Sequence, residues 1–210
     1  MTQPGLQNRV HPNGDIIANS ARGTVMGNRG GQIHDAATQT LHPTKRWASR
    51  QWICCVTEFK NRQRKVMSDG TYTELFFLDE VTALAAGHRP CFECRRTAAN
   101  AFGEAWARAH GLARRPSAPD MDKVLHEERL LDRKKRTHVA AWDTLPVGTI
   151  VVDGKGVIAK SDHGALHWSF GGYAPSPTRH GDVEVLTPPT ILAVLHAGYQ
   201  PLWHPSANMN

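Results

Sequence analysis

Ala85-Ala86-Gly87-His88-Arg89-Pro90-Cys91-Phe92-Glu93-Cys94-Arg95-Arg96 is the stretch on which the fold of this 210-residue chain turns. A glycine able to end a helix comes first, then a proline that stiffens the following turn, then a Cys-x-x-Cys pair bordered by arginines. Two thiolates at that spacing can grip one metal ion from a single tight loop. The remaining two cysteines, Cys54 and Cys55, are adjacent to each other upstream. The pattern predicts a zinc-nucleated module in a basic protein.

Working outward, Trp52 to Phe59 is rich in β-branched and aromatic residues and reads as a strand. Turn chemistry follows at Asn61 to Lys65 and at Ser68-Asp69-Gly70, and Tyr72 to Leu78 reads as the returning strand of a hairpin. Asp79 is placed to cap a short helix over Glu80 to Ala86, which Gly87 ends. A longer helix is expected over Thr97 to His110, with Phe102, Ala105, Trp106 and Ala109 on one face. On the N-terminal side, Arg22 to Gly31 holds four glycines and reads as a loop. Its backbone can approach a ligand closely, and Arg22, Asn28 and Arg29 offer contacts to phosphate or carboxylate.

On the C-terminal side, Arg114 to Pro119 reads as a linker and Asp120 to Ala141 as a helix. That helix would carry the basic run containing Arg133, Lys134, Lys135 and Arg136. Short strands are expected over Gly148 to Val152, Gly156 to Lys160, Ala165 to Phe170 and Val183 to Leu186, with a closing helix over Thr190 to Ala197. The fold class is therefore α+β. A zinc-stabilised lobe of hairpin and helices (residues 1–113) precedes a linker and basic helix (114–141) and a small antiparallel β unit with a closing helix (142–210). The short linker allows the two lobes to pack as one domain.

Phe76-Phe77 through Arg96, with its Ala-rich short helix and Gly-His-Arg-Pro-Cys-x-x-Cys-Arg run, resembles the zinc-binding module of the Ada DNA-alkylation repair proteins. The resemblance covers about a tenth of the chain closely and implies that Cys91 and Cys94 are zinc ligands. It also implies DNA as a partner, with methyl transfer to a zinc-bound cysteine as the chemistry. That family spaces its upstream cysteines apart, whereas here they are adjacent, and neighbouring side chains on a strand point to opposite faces. One of the two, with Cys55 favoured, is expected in the site. Histidine completes the set, with His88 first and His34 or His42 as alternatives.

The formal charge of +6 and pI near 9.4 suit a nucleic-acid partner, and equally an acidic small substrate. Mean hydropathy is -0.44, no apolar run is long enough to span a membrane, and Met1 to Arg9 is polar, so a cytoplasmic protein with reduced thiols is expected. The leading functional expectation is a zinc protein that binds DNA or RNA, in repair or defence. Phosphate contacts would come from Arg22, Asn28, Arg29, Arg95, Arg96 and the 133–136 run. The alternatives are a metal-dependent hydrolase, a nuclease or a small-molecule enzyme using the Gly/Arg loop with His34, Asp35 or Cys54, and an adaptor with a purely structural zinc. A deep polar pocket beside the loop would favour the small substrate. A flat positive face would favour nucleic acid.

Overall fold

The structure is a computed structural model that describes residues 5–62, 65–154 and 156–208. The N-terminal part of the chain runs β1 (Gln7–Val10), β2 (Ile16–Ala18), β3 (Val25–Arg29), β4 (His34–Asp35), β5 (Thr40–Leu41), β6 (Trp52–Val56), β7 (Leu75–Phe77), α1 (Glu80–Ala85), β8 (Arg89–Pro90) and α2 (Arg96–Ala109). There follow α3 (Ala118–Arg129), β9 (Leu130–Leu131), β10 (Lys134–Lys135), β11 (His138–Ala141), β12 (Ile150–Asp153), β13 (Gly156–Ser161), β14 (Gly164–Ser169), β15 (Gly172–Pro175), β16 (Asp182–Val185) and α4 (Pro189–His196). Helices and sheets are thus mixed in the α+β manner. No helix among the described residues is long and apolar enough to cross a membrane.

The first sheet has the order β2-β1-β7-β3-β6-β8. β6 and β7 do not pair with each other as a hairpin, because β3 lies between them and pairs antiparallel with both. The glycine-rich segment read as a loop is therefore an interior strand. Gly27 accounts for the difference: a Cβ there would lie 2.0 Å from the Ile53 carbonyl oxygen and 3.0 Å from the Phe77 ring. Close strand and ring packing, not loop freedom, demands glycine at this position. Part of the turn expected over 61–65 falls on residues 63 and 64, and part of the polar segment 1–9 on residues 1–4, all outside the described residues.

The cap of α1 forms as expected, with the Asp79 carboxylate accepting from the Thr82 amide at 2.8 Å and its hydroxyl at 2.8 Å. Gly87 follows with φ +85, and a Cβ there would fall 2.7 Å from Cδ of Arg129. The glycine thus both stops the helix and lets an arginine pass. All six residues of α1 are buried, because the helix is packed from several sides. Ala83 and Ala86 join the core of the first sheet, and Val81 and Ala85 join that of the second. Polar ties run the same way: Tyr173 Oη donates to Asp79 at 2.9 Å, and Trp168 Nε1 donates to the Thr82 hydroxyl at 3.0 Å.

α2 buries Phe102, Ala105 and Trp106 as its periodicity predicts, although Ala109 is exposed. These side chains meet Met121 and Leu125 of α3 and Ile191, Val194 and Leu195 of α4. The closing helix therefore packs on other helices. The expected linker is anchored, with Arg115 bonded to Asn100 of α2. The second sheet, β11-β16-β12-β13-β14-β15, is a six-stranded antiparallel sheet, larger than expected by β11 and β15.

The basic run is not helical. α3 ends at Arg129, and Leu130–Leu131 pairs antiparallel with Lys134–Lys135 across a two-residue turn. Asp132 and Arg133 both take positive φ, 47° and 67°, the conformation a tight two-residue hairpin needs. The turn lacks the glycine that usually announces it, and helical propensity in the flanking residues hides it.

Candidate functional site

Two chemically distinct features share strand β6. The first is a thiol cluster. Cys55 on β6, Cys91 just after β8 and Cys94 ahead of α2 bring their sulfurs within 4.8 Å of one another. The amide of Cys91 donates to the Cys54 carbonyl at 2.9 Å, which fastens the Cys-x-x-Cys loop to the edge of the sheet. The Glu93 amide points at the Cys91 sulfur at 3.4 Å. Thiolates held at about 2.3 Å around one tetrahedral ion stand about 3.8 Å apart, so this spacing suits a single metal. The neighbours share protons: hydrogen bonds from Cys55 and then Cys94 pull Cys91 far down, while its bond to Cys91 pushes Cys55 up. Such a trio is ready to lose its remaining protons to a cation.

Cys54 points the other way, as strand alternation requires. It is fully buried, burial pushes its thiol up, and Arg95 donates to its sulfur at 3.3 Å. Arg95 is itself held by Glu80 at 2.6 Å, and Glu80 also accepts from Tyr199 Oη at 2.6 Å. Arg95 therefore buttresses the cluster from behind and is not free to meet phosphate.

His88 is not a ligand. It lies wholly buried between the rings of Phe77 and Trp52, 4.7 and 5.0 Å away, and accepts from Arg29 Nε at 3.4 Å. Burial and then the Arg29 charge hold its imidazole well below the ordinary range, so it is neutral. His34 is likewise spoken for by Thr73 Oγ1 at 2.6 Å and the Ser68 carbonyl at 3.2 Å. Exposed Asp35 caps the amides of Ala37 and Thr38. His34 bonds to Thr73 and Ser68, Asp35 to its own turn and Cys54 to Arg95, so no hydrogen-bonded group joins His34, Asp35 and Cys54 among the described residues. Among the described residues, the group whose ligand atoms lie close enough to hold a metal ion comprises the three cysteines, without His42.

The second feature is a cationic cleft. Its floor is Trp52, 2% exposed, with the Arg29 guanidinium 3.8 Å and the Arg129 guanidinium 3.9 Å from the indole. Arg29 donates to the Gly14 carbonyl at 2.7 Å, and Arg129 donates to the carbonyls of Gly87 at 2.8 Å and Arg50 at 2.7 Å. Among the described residues neither forms an ion pair, and Arg129 Nε has no hydrogen-bond partner. Lys135 donates from Nζ to the Ala85 carbonyl at 2.5 Å, and burial and then Arg29 and Arg129 push its amine down to about 7. Burial acts likewise on Arg29, to about 9, and on Arg129, to about 8. Guanidinium keeps its proton regardless, so this electrostatic pressure registers as destabilisation that a bound anion would relieve.

These residues line a cavity of about 540 Å³. Arg46, Arg133 and Lys134 add cations around it, against the two carboxylates of Asp15 and Glu184. A second, more open recess adjoins it, sharing Arg46, Trp47 and Arg133.

Of the anion contacts expected from the sequence, Arg29, Arg133, Lys134 and Lys135 therefore converge. Arg22 and Arg96 are exposed and line neither recess. Asn28 is buried and bonds to the Gly30 amide at 2.9 Å, and Arg136 bonds back to the Glu127 carbonyl at 3.2 Å. Sequence reasoning overlooked Trp52, Trp47, Arg46 and Arg129 as site residues. Arg129 opened the basic run, but only its position as the last residue of α3 turns it inward beneath Gly87. The chain matches no family model, no curated protein and no solved structure.

Proposed function

We propose that the protein binds a phosphorylated ligand in the Trp52 cleft, and that the three cysteines hold a structural zinc ion fixing the strand that carries Trp52. The carrying observation is the pair of buried guanidiniums stacked on one indole, neither of them in an ion pair among the described residues, at the floor of a cavity that also holds Lys135. Buried charges ordinarily have partners, and a phosphate dianion is the partner this arrangement lacks. The recess beside the glycine-rich strand is what a small anionic ligand needs, and its volume lies in the usual range for small-molecule sites. Nucleic acid remains a second reading, favoured by the exposed Arg46, Arg133 and Lys134 at the rim. For zinc, the all-sulfur donor set and the resemblance to the Ada zinc module are the supports.

Thermal unfolding tests the reading, in inorganic phosphate against chloride of equal ionic strength. Occupancy at about a hundredfold excess over Kd adds about 2.7 kcal/mol, which raises Tm by roughly 5–10 °C in a chain of this size. Arg129→Met should abolish the response. Arg46→Ala, an exposed change, should weaken it if the buried variant does not fold. No shift with phosphate in the unaltered protein would refute the cleft reading. Elemental analysis of tag-free protein should find close to one zinc per chain, lost in Cys91→Ser and kept in Cys54→Ala.

A further inference from the structure

We infer that the ligand of the cleft is a nucleoside monophosphate unit, its phosphate on Arg29, Arg129 and Lys135 and its base against Trp47 at the mouth. The inference rests on the phosphate reading above and adds the chemical class of the remainder of the ligand. Four of the six tryptophans, Trp52, Trp106, Trp142 and Trp168, are at most 5% exposed. Trp47 differs, being partly exposed where the deeper cleft meets the more open recess and lining both. Its ring centroid is 6.1 Å from that of Trp52, so an aromatic surface begins within one ring's reach of the buried guanidiniums.

The geometry around Trp47 is that of a stacking platform. His126 meets it edge-on at 5.6 Å, fixing the ring. The Arg133 guanidinium lies 5.2 Å from its centroid and is tied to the Thr44 carbonyl. Planar cations and indoles both stack on bases, and a stacked base contributes about 1–3 kcal/mol. At the other pole, Arg129 Nε is buried and unpartnered. Arg129 also lines the cavity. A ligand that satisfies both poles must join a compact anion to a planar aromatic group across a short polar spacer. A nucleotide does this, either free or as the phosphorylated end of a nucleic-acid strand.

Calorimetric titration separates the possibilities. The probes are inorganic phosphate, adenosine, adenosine 5′-monophosphate, and one short oligonucleotide with and without a 5′-phosphate. We expect the monophosphate or the 5′-phosphorylated strand to bind at least about tenfold more tightly than inorganic phosphate, matching a stacking gain above 1.4 kcal/mol. Trp47→Ala should remove that advantage, so that the variant binds the nucleotide probes no more tightly than inorganic phosphate. Trp47 is at the rim, and an unchanged far-ultraviolet circular dichroism spectrum shows that the variant is folded. If only the phosphorylated strand gains, the source is a strand end; if the mononucleotide gains, it is the free nucleotide. Equal binding of inorganic phosphate, the monophosphate and the 5′-phosphorylated strand, or binding of adenosine as tightly as the monophosphate, would overturn the inference. The former leaves the phosphate reading standing. Failure of inorganic phosphate and every phosphorylated probe to bind would remove both.

Discussion

Replacing Lys135 by methionine should make the protein more stable in acid, by a margin that disappears in alkali. The amine feels the Arg29 and Arg129 charges and donates to the Ala85 carbonyl at 2.5 Å. Its pKa in the folded chain is pushed from 10.5 down to about 7. A base depressed on folding binds fewer protons folded than unfolded between those two values, so its contribution to stability rises with pH across that window. Below the folded value the amine is charged in both states and the full penalty applies. The gap between the two values corresponds to on the order of 5 kcal/mol. Water entering the partly open cleft reduces this to roughly 2–3 kcal/mol. Methionine removes that penalty and also the hydrogen bond, a loss of about 1 kcal/mol. Relative to the unaltered protein, Lys135→Met should therefore gain about 1–2 kcal/mol at pH 6 and differ little at pH 9.5, where the unfolded amine is still mostly protonated and about 1 kcal/mol of penalty offsets the lost hydrogen bond. Urea unfolding in phosphate-free buffer reads this directly, with both proteins measured at each pH so that other titrating groups cancel. A stability difference that does not change between these pH values would refute the argument that the amine is buried against two cations. Saturating phosphate should flatten the dependence, because the anion favours the charged amine.

Two further substitutions test the frame around the site. Gly27→Ala should destabilise the protein by at least about 3 kcal/mol in urea unfolding, because the new methyl would stand 2.0 Å from the Ile53 carbonyl oxygen of the adjoining strand; near-neutral behaviour would mean that β3 does not approach β6 so closely. Asp122→Asn should cost roughly 3 kcal/mol, since Arg89 pairs with that carboxylate through two bonds of 2.9 and 2.7 Å in a buried setting and would be left uncompensated; a loss below 1 kcal/mol by the same measurement would show the pair to be solvated.

Local chemistry is legible in the residues themselves. The Asp79 cap, the Gly87 stop and the thiol loop closed by Cys91 and Cys94 follow from interactions between residues a few positions apart, as does the buried stripe of Phe102, Ala105 and Trp106. Such signals survive in the sequence because the backbone geometry they encode is complete within one turn or one helix. The choice between Cys54 and Cys55 is partly legible as well, since alternation along a strand sends only one sulfur toward the loop.

The rest depends on packing between distant segments. β3 enters between β6 and β7 because Gly27 permits an approach to Ile53, 26 positions away, and glycine content near that strand mimics a loop. The basic run becomes a hairpin, so its charges divide between the cleft and solvent instead of lining one helix face. Arg129 reaches Trp52 only by passing over Gly87, and Arg29 reaches the same indole from the neighbouring strand. Hydrophobic period and turn propensity are properties of neighbouring residues, whereas the convergence of two guanidiniums on one ring, with Lys135 lining the same cavity, is a property of how sheet, helix end and hairpin stack. That stacking is decided by the burial of side chains far apart in the chain, which no local pattern encodes.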